Sequence, residues 1–280
     1  MEDNFIGIVA ICGDEGTGKT TMALTFPKLL VHFDVDVGGY RRAAWRLDVE
    51  DIESKGYPKP IQLEKFIGQK GSPSTRISIP KKVEGMKELW QEIAQDFVNA
   101  CMNEKVKSIV IDSATLLWNI CHQSHLQELQ ERQLVQWTNR NPRTPFDENE
   151  YRERLQPMEY GPANDKMRTI LHTARSYQKN LILTHYPTDE YGAVHDAKGN
   201  VTEGKTGIKI LDGFKETVKL VDLMVWLSIK EKSEKGMKTR EPIAKIIKCG
   251  LEGMGLDAVG LEIPATYEGI INLQRMMKGE

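Results

Sequence analysis

Residues 13–20, Gly13-Asp14-Glu15-Gly16-Thr17-Gly18-Lys19-Thr20, fit the pattern G-x-x-x-x-G-K-[ST], which is called the P-loop or Walker A motif. The three glycines of such a loop let the backbone curl until successive N–H groups point inward and bind phosphate oxygens. The lysine reaches the β- and γ-phosphates of a nucleotide, and the hydroxyl that follows it ligates Mg²⁺. The stretch therefore predicts a binding site for a nucleoside triphosphate.

The segments on either side of the loop have the character that the motif requires. Residues 6–12 form an apolar run typical of a buried strand, and residues 20–30 predict a helix that Pro27 stops early. A helix N-terminus at the end of the loop adds partial positive charge, which favours a bound phosphate. We expect the nucleotide to contact the whole motif and the residue after it, namely Gly13, Asp14, Glu15, Gly16, Thr17, Gly18, Lys19, Thr20 and Thr21.

The composition is typical of a globular protein. Of the 280 residues, 40% are hydrophobic and 28% are charged, and this length is enough for one large α/β domain or two small ones. We detect no apolar run long enough to cross a bilayer, and the N-terminus is acidic, unlike that of a signal peptide. The four cysteines lie far apart, which argues against structural zinc or a disulfide framework. We predict a single domain over residues 1–280, located in the cytoplasm.

The net charge of −2 is unevenly distributed along the chain. Residues 198–248 hold twelve Lys or Arg against seven Asp or Glu, a net charge of +5, so the remainder carries −7. A polyanion would therefore bind locally, to this C-terminal part. A solvated lysine-rich hairpin explains the same charge equally well.

Two further apolar runs end in carboxylates. Residues 29–34 predict a buried strand that leads into Asp34 and Asp36. Residues 107–113 predict a second strand ending at Asp112, the Walker B arrangement, in which the carboxylate orients Mg²⁺ or its bound water. Ligands of open α/β sheets lie beyond the carboxyl ends of the strands, so we expect these side chains at the active edge.

A third apolar run, residues 181–185, predicts a buried strand that ends at His185. A histidine at that position could contact the γ-phosphate and report its presence, or it could simply cap the strand. The other predicted elements are a short strand at 76–79, a helix at 83–102, a helical and irregular insertion at 119–160, a helix at 164–178, a loop at 187–209, a hairpin of 221–227 with 243–248, and a short helix after residue 264.

The order of these motifs resembles that of the RecA-like ATPases, which have an α/β fold with a mostly parallel central sheet flanked by helices and an antiparallel edge hairpin. The resemblance places Asp36 at the position of the catalytic base and Asp112 at the Walker B position. His185 is similar to the residue that couples the γ-phosphate to the DNA-binding loop, which here is residues 187–213. Lys248 is similar to an edge-strand lysine that reaches the nucleotide of a neighbouring subunit.

Within this superfamily the chain looks like phage-encoded nucleotide-binding proteins, including the single-strand-annealing ATPases of the Sak group, through residues 159–165 and 181–185. This likeness implies hydrolysis of ATP with Mg²⁺, coupled to binding of single-stranded DNA during recombination or annealing, in the cytoplasm of a bacterial host. It also implies a homo-oligomer and a single-strand-binding protein as a partner. The DNA phosphates would be gripped by lysines after the third strand: Lys198, Lys205 and Lys209.

Two other functions remain open from the sequence. A small-molecule phosphotransferase (kinase) needs an acceptor pocket and a lid with arginines, which could come from Arg41, Arg42, Arg143 and residues 151–154. An ATP-dependent loader or scaffold in DNA replication or packaging would keep Lys19 and Asp112 but tolerate the loss of Asp36.

Overall fold

The computed structural model describes residues 7–60, 81–195, 201–234 and 237–279. Its strands are β1 (Ile8–Gly13), β2 (Leu30–Asp34), β3 (Ile52–Gly56), β4 (Ser108–Asp112), β5 (Asn180–His185), β6 (Pro187–His195), β7 (Val201–Leu211), β8 (Leu223–Glu234), β9 (Met237–Cys249) and β10 (Glu262–Pro264). Its α-helices are α1 (Lys19–Ala23), α2 (Gly39–Ala44), α3 (Met86–Met102), α4 (Ala114–Arg140), α5 (Tyr160–Ser176), α6 (Thr217–Leu220) and α7 (Tyr267–Lys278).

Eight of the strands form one sheet, in the order β10-β9-β8-β1-β5-β4-β2-β3. The six strands from β8 to β3 run parallel to one another. Every residue of β1, β4 and β5 is buried, as expected for central parallel strands covered on both faces. Because β5 lies between the P-loop strand β1 and the Walker B strand β4, the carboxyl ends of all three strands meet at one edge.

Helices cover both faces of this sheet. On one face α3, α4 and α5 pack in a cluster with alternate sheet residues such as Ala10 and Ile111. On the other face α1 and α7 pack against the intervening residues, such as Ile11 and Val110. Burial of each large aliphatic side chain contributes about 1.5–3 kcal/mol, so these two layers supply most of the driving force for folding. Among the described residues, no helix combines the length and the apolar character needed to cross a membrane.

The antiparallel part of the sheet lies beyond β1. Strands β8 and β9 pair antiparallel, and the short strand β10 pairs antiparallel with β9 at the edge. The hairpin predicted from residues 221–227 and 243–248 is therefore confirmed, although both strands are longer than the apolar runs. With the parallel centre and the helices on both faces, the predicted α/β fold class is confirmed.

The helix after the P-loop is shorter than predicted. Helix α1 spans five residues, whereas the sequence predicts a helix over 20–30. Pro27 disfavours the helical conformation of the residue before it. The hydroxyl of Thr25 donates to the carbonyl oxygen of Met22 (2.7 Å) and accepts from the N–H of Tyr267 (2.8 Å), so a side chain takes over where the helix stops.

The loop predicted over residues 187–209 is wrong for the part of this segment that the structure describes. Residues 187–195 and 201–209 belong to an antiparallel two-stranded sheet of β6 and β7, whose register pairs Pro187 with Leu211 and His195 with Val201. Strand β7 is mostly exposed and β6 is only partly buried, so neither strand has the apolar alternation from which a strand is recognised. Glycines within the segment also favoured a loop.

Other boundaries differ in smaller ways. Helix α4 begins at Ala114, five residues before the predicted insertion, and residues 141–159 that follow it contain two short 3₁₀ helices. Strand β3 was not predicted, because its residues are only partly buried at the edge of the sheet. Helices α3 and α5 confirm the predictions for 83–102 and 164–178 within four residues at each end. The strand predicted at 76–79 lies outside the described residues.

Candidate active site

The P-loop joins β1 to α1 and adopts a backbone that needs glycine at defined positions. Gly16 and Gly18 have φ angles of +77° and +91°, in the left-handed region that other residues rarely adopt. A Cβ atom on Gly13 would lie 2.8 Å from the carbonyl oxygen of Leu227. The hydroxyl of Thr17 donates to the carbonyl oxygen of Asp14 (2.8 Å) and closes the turn.

Lys19 folds back over the loop that it follows. Its Nζ donates to the carbonyl oxygens of Gly13 (2.7 Å) and Asp14 (2.9 Å). Burial lowers the pKa of Lys19, and the nearby carboxylates, including Asp112, oppose this shift. The ammonium group is thus held at the loop by weakly basic carbonyl oxygens, which a phosphate group would replace with stronger, charged acceptors.

Asp112 and Thr20 meet at the carboxyl end of β4. The Thr20 hydroxyl donates to Oδ2 of Asp112 (2.6 Å), and the Thr184 hydroxyl donates to Oδ1. Burial alone would raise the pKa of Asp112, but the polar contacts with His32, Thr184 and Thr20 outweigh it and hold that pKa below its ordinary value. Asp112 therefore stays ionised although it is buried.

The space beside these two groups fits a divalent cation. A Cβ atom on Gly39 would lie 2.6 Å from Oδ2 of Asp112 and 3.3 Å from Oγ1 of Thr20, so glycine keeps this position clear. An ionised carboxylate and a hydroxyl are hard oxygen donors of the kind that Mg²⁺ prefers. The residues present therefore suit the metal that accompanies a bound nucleotide.

Of the two carboxylates at the carboxyl end of β2, Asp34 and Asp36, only Asp36 lines the cleft. Its Oδ2 accepts a hydrogen bond from the Tyr186 hydroxyl (2.8 Å) and lies 3.6 Å from the Arg42 guanidinium. Asp34 is buried and accepts the N–H of Gly38 (2.9 Å), which fixes the turn before α2. The geometry thus favours Asp36 over Asp34 as the group that could act on water.

Tyr186 is a cleft residue that the sequence analysis missed. Its ring lies 5.0 Å from Nζ of Lys19, and its hydroxyl bonds Asp36. Burial and the contact with Asp36 raise the pKa of Tyr186, so the phenol stays protonated and donates a hydrogen bond to the carboxylate. Its position directly after the strand ending at His185 was the available signal, because strand ends line such sites.

His185 does not lie in the cleft. It pairs with Cys12 and shares that residue's face of the sheet, on the side of α4 and α5. Its Nδ1 lies 2.9 Å from the carbonyl oxygen of Asp212, the side chain is fully buried, and burial lowers its pKa to about 4. The expected contact with the γ-phosphate therefore does not fit this geometry, since alternation turns Thr184, not His185, toward Asp112.

Two of the three lysines expected to hold DNA, Lys205 and Lys209, lie on β7. Nζ of Lys205 and Nζ of Lys209 each lie 2.6 Å from a carboxylate oxygen of Asp189, and both lysine side chains remain more than half exposed. Lys198 lies outside the described residues. The two described lysines thus share one counter-ion within the hairpin.

Lys248 is engaged within its own chain. Its Nζ donates to the carbonyl oxygens of Val218 (2.9 Å), Lys219 (3.1 Å) and Val221 (2.7 Å), at the C-terminal end of α6. Cations are stabilised at helix C-termini by the unpaired carbonyl groups. A role in a neighbouring subunit's site, which the resemblance implied, would require this side chain to leave three acceptors.

A cleft of about 600 Å³ connects the groups described above. Two of its residues are arginines from α2 and the turn after it, Arg42 and Arg46. The residues that line the cleft are Glu15, Gly16, Gly18, Lys19, Thr20, Thr21, Asp36, Gly39, Arg42, Ala43, Arg46, Asp112 and Tyr186. Gly13, Asp14 and Thr17, also predicted to contact the nucleotide, are not among these lining residues; they make the contacts within the loop and with Lys19 described above.

Comparison with known families agrees with this geometry. A family model described as an AAA domain matches residues 8–245, which is 238 of the 280 residues. A search of curated proteins found no match. The matched region includes β1, the P-loop, β4 and the whole cleft. The chain therefore belongs to the AAA domain family of nucleotide-binding P-loop ATPases.

Proposed function

We propose that this protein binds ATP together with Mg²⁺ in the cleft and hydrolyses it, with Asp36 orienting the attacking water. One observation carries the proposal: Lys19 and Thr20 at the start of α1, Asp36 after β2 and Asp112 at the end of β4 come from three separate parts of the chain and converge on one cleft. A phosphate loop alone would support binding. The carboxylate of Asp36, which lines the same cleft, adds a group that can accept a proton or a hydrogen bond from water.

Each cleft residue has a defined part in this reaction. Lys19 would exchange the carbonyl oxygens of the loop for the β- and γ-phosphates and neutralise the charge that develops there. Thr20 and Asp112 would hold Mg²⁺, which supplies positive charge for the transferred phosphoryl group. Asp36, oriented by the Tyr186 hydroxyl, would align the water that attacks the γ-phosphorus and releases ADP.

We further propose that hydrolysis is coupled to single-stranded DNA, as in the recombination and annealing ATPases of phages. The connection from Tyr186 to the hairpin supports this coupling. Tyr186 directly precedes β6, its N–H donates to Oγ1 of Thr115 (3.1 Å), and its carbonyl oxygen accepts the N–H of Asp212 (2.9 Å). Both ends of the hairpin are thus joined to the residue that touches Asp36.

The described lysines are expected to contribute less to DNA binding than free lysines would, because each already pairs with Asp189. Lys205 and Lys209 would have to exchange Asp189 for phosphate oxygens, which lowers the net gain from each contact. Assembly into a homo-oligomer, and cooperation with a single-strand-binding protein, belong to the same proposal.

Steady-state hydrolysis of ATP tests these proposals directly. It should require Mg²⁺ and be stimulated by single-stranded DNA, and the stimulation should fade as salt rises, because phosphate contacts release counter-ions. Tyr186→Phe should reduce both turnover and stimulation, whereas Tyr177→Phe, at an exposed position after α5, should change neither. If DNA does not affect hydrolysis, the proposal that the protein is an ATPase stands, but the proposed coupling to DNA is rejected.

A small-molecule phosphotransferase is the second candidate, and Arg42 and Arg46 are the observation that favours it. Both line the same cleft as Asp36, where they could bind an anionic acceptor. The products separate the two candidates. An ATPase releases inorganic phosphate without an acceptor, whereas a kinase consumes ATP only with one and forms a phosphorylated product.

The loader or scaffold would bind ATP and assemble even when Asp36→Asn prevents turnover.

A further inference from the structure

A buried histidine lies behind the carboxylate of the cleft. The side chain of His32, in β2, has no exposed surface. Its register partner on β4 is Val110, which packs on the face of the sheet that carries α1, so the ring points to the same face as the P-loop helix. Nδ1 lies 2.9 Å from the hydroxyl of Ser54 in β3, and Nε2 lies 3.6 Å from Oδ2 of Asp112.

The Nε2 atom is what distinguishes His32 from an ordinary core residue. It is fully buried and has no hydrogen-bond partner at normal distance. A buried polar atom without a partner costs free energy that an apolar side chain of similar size would not. The nearest charged acceptor is Asp112, and closing that gap needs an approach of only a few tenths of an ångström.

The partners of the ring also assign its proton. Ionised Asp112 is only an acceptor, so a bond between the two requires the proton on Nε2. Nδ1 then accepts the hydroxyl proton of Ser54. This arrangement connects β3, β2 and β4 through Ser54, His32 and Asp112.

We propose that His32 is a positioning residue for Asp112 and thereby sets the affinity of the cleft for its divalent cation. Thr184 holds Oδ1 and Thr20 holds Oδ2, and His32 adds a donor from the side that does not line the cleft. A carboxylate held in this way keeps its free lone pairs turned toward the cation. Groups behind metal ligands commonly act so, and losing one typically costs about 10- to 100-fold in metal affinity. The inference rests on the Mg²⁺ site of the proposed function.

Direct binding of Mn²⁺, followed by electron paramagnetic resonance in the presence of a non-hydrolysable ATP analogue, tests this role without turnover. His32→Met fills the space but removes the donor, and it should weaken Mn²⁺ binding by about 10-fold or more. His32→Gln places an amide N–H near the position of Nε2 and should retain most of the affinity. Ser54→Ala removes only the partner of Nδ1 and should weaken binding less than His32→Met.

Leu273→Ala, a cavity-forming change in the buried face of α7, is the control for a loss of stability alone. It should lower the unfolding temperature and leave Mn²⁺ affinity unchanged. Equal affinities in His32→Met and the wild type would overturn the inference. If His32→Met does not fold, Ser54→Ala decides, and wild-type affinity in that variant overturns it. Failure of the wild type itself to bind Mn²⁺ with the nucleotide would reject the proposed function and this inference together.

Discussion

The cleft and the β6–β7 hairpin hold their polar side chains in opposite ways. In the cleft, Asp112 is buried and receives hydroxyl donors from α1 and β5, two elements far apart in sequence. In the hairpin, Lys205 and Lys209 are exposed, and their partner Asp189 lies on the neighbouring strand of the same hairpin. A buried polar network is costly unless its groups are paired, so its geometry is strictly defined, whereas exposed ion pairs contribute little to stability. The geometry therefore supports the proposed role of the cleft more directly than that of the hairpin.

The largest effect is expected from the P-loop lysine. Lys19→Ala should reduce ATP turnover by about 1000-fold or more, because it removes the cation that stabilises the charge on the transferred phosphoryl group. Lys28→Ala is the matched control, since Lys28 also donates to two carbonyl oxygens and burial also lowers its pKa, but it lies outside the cleft. Normal turnover in Lys19→Ala would refute the assignment of the cleft.

Asp36→Asn should reduce turnover by about 100-fold or more while nucleotide affinity stays nearly unchanged, because the amide cannot take a proton from water. Asp34→Asn can still accept the N–H of Gly38 and should hydrolyse ATP nearly as the wild type does. Single-turnover rates and the affinity for a fluorescent ATP analogue measure the two quantities separately. Weakened binding with normal turnover in Asp36→Asn would remove it from this role.

The same contrast explains what the sequence could predict. The P-loop, β1, β4 and β5 were found because their signals are local: a glycine pattern and unbroken apolar runs. Asp112 followed from its position at a strand end. His185 shows the limit, since a strand-end rule locates a residue but alternation decides which face its side chain takes.

The hairpin and the remaining cleft residues could not be predicted, because they depend on contacts between segments that are far apart in the sequence. Strands β6 and β7 pair with each other and with no other described strand, so neither face has the apolar pattern of a strand. Arg46 and Tyr186 reach the cleft only because α2 and β5 are brought together by the sheet order. The contacts of Lys248 could not be predicted without knowing that α6 ends beside it.

An effect of intermediate size is expected at His185, the last residue of β5, on the pH dependence of stability. Because burial lowers its pKa from 6.5 to about 4, the unfolded chain takes up a proton before the folded protein does. The stability due to neutral His185 is complete above pH 6.5 and is lost as pH falls toward 4, by at most about 1.4 kcal/mol per pH unit. His185→Asn keeps a donor for Asp212 and should lose less stability over this window in urea unfolding, whereas His172→Asn, at an exposed position of α5, should match the wild type.

The smallest expected effect is on DNA binding by the hairpin. If it is observed, it would give the exposed lysines of the hairpin a function, as proposed for the cleft. Asp189→Asn removes the counter-ion that Lys205 and Lys209 share, so both cations become available to a polyanion. If the hairpin contacts single-stranded DNA, affinity at low salt should rise, and the logarithm of affinity should fall more steeply with the logarithm of salt, by about 0.7 for each lysine that gains a phosphate. Fluorescence anisotropy of a labelled oligonucleotide measures both quantities, with Glu231→Gln, which frees Arg240 on the separate β8–β9 hairpin, as the control. If the salt dependence of affinity has the same slope in Asp189→Asn as in the wild type, the freed lysines have gained no phosphate contact. That result would exclude Lys205 and Lys209 from the DNA site.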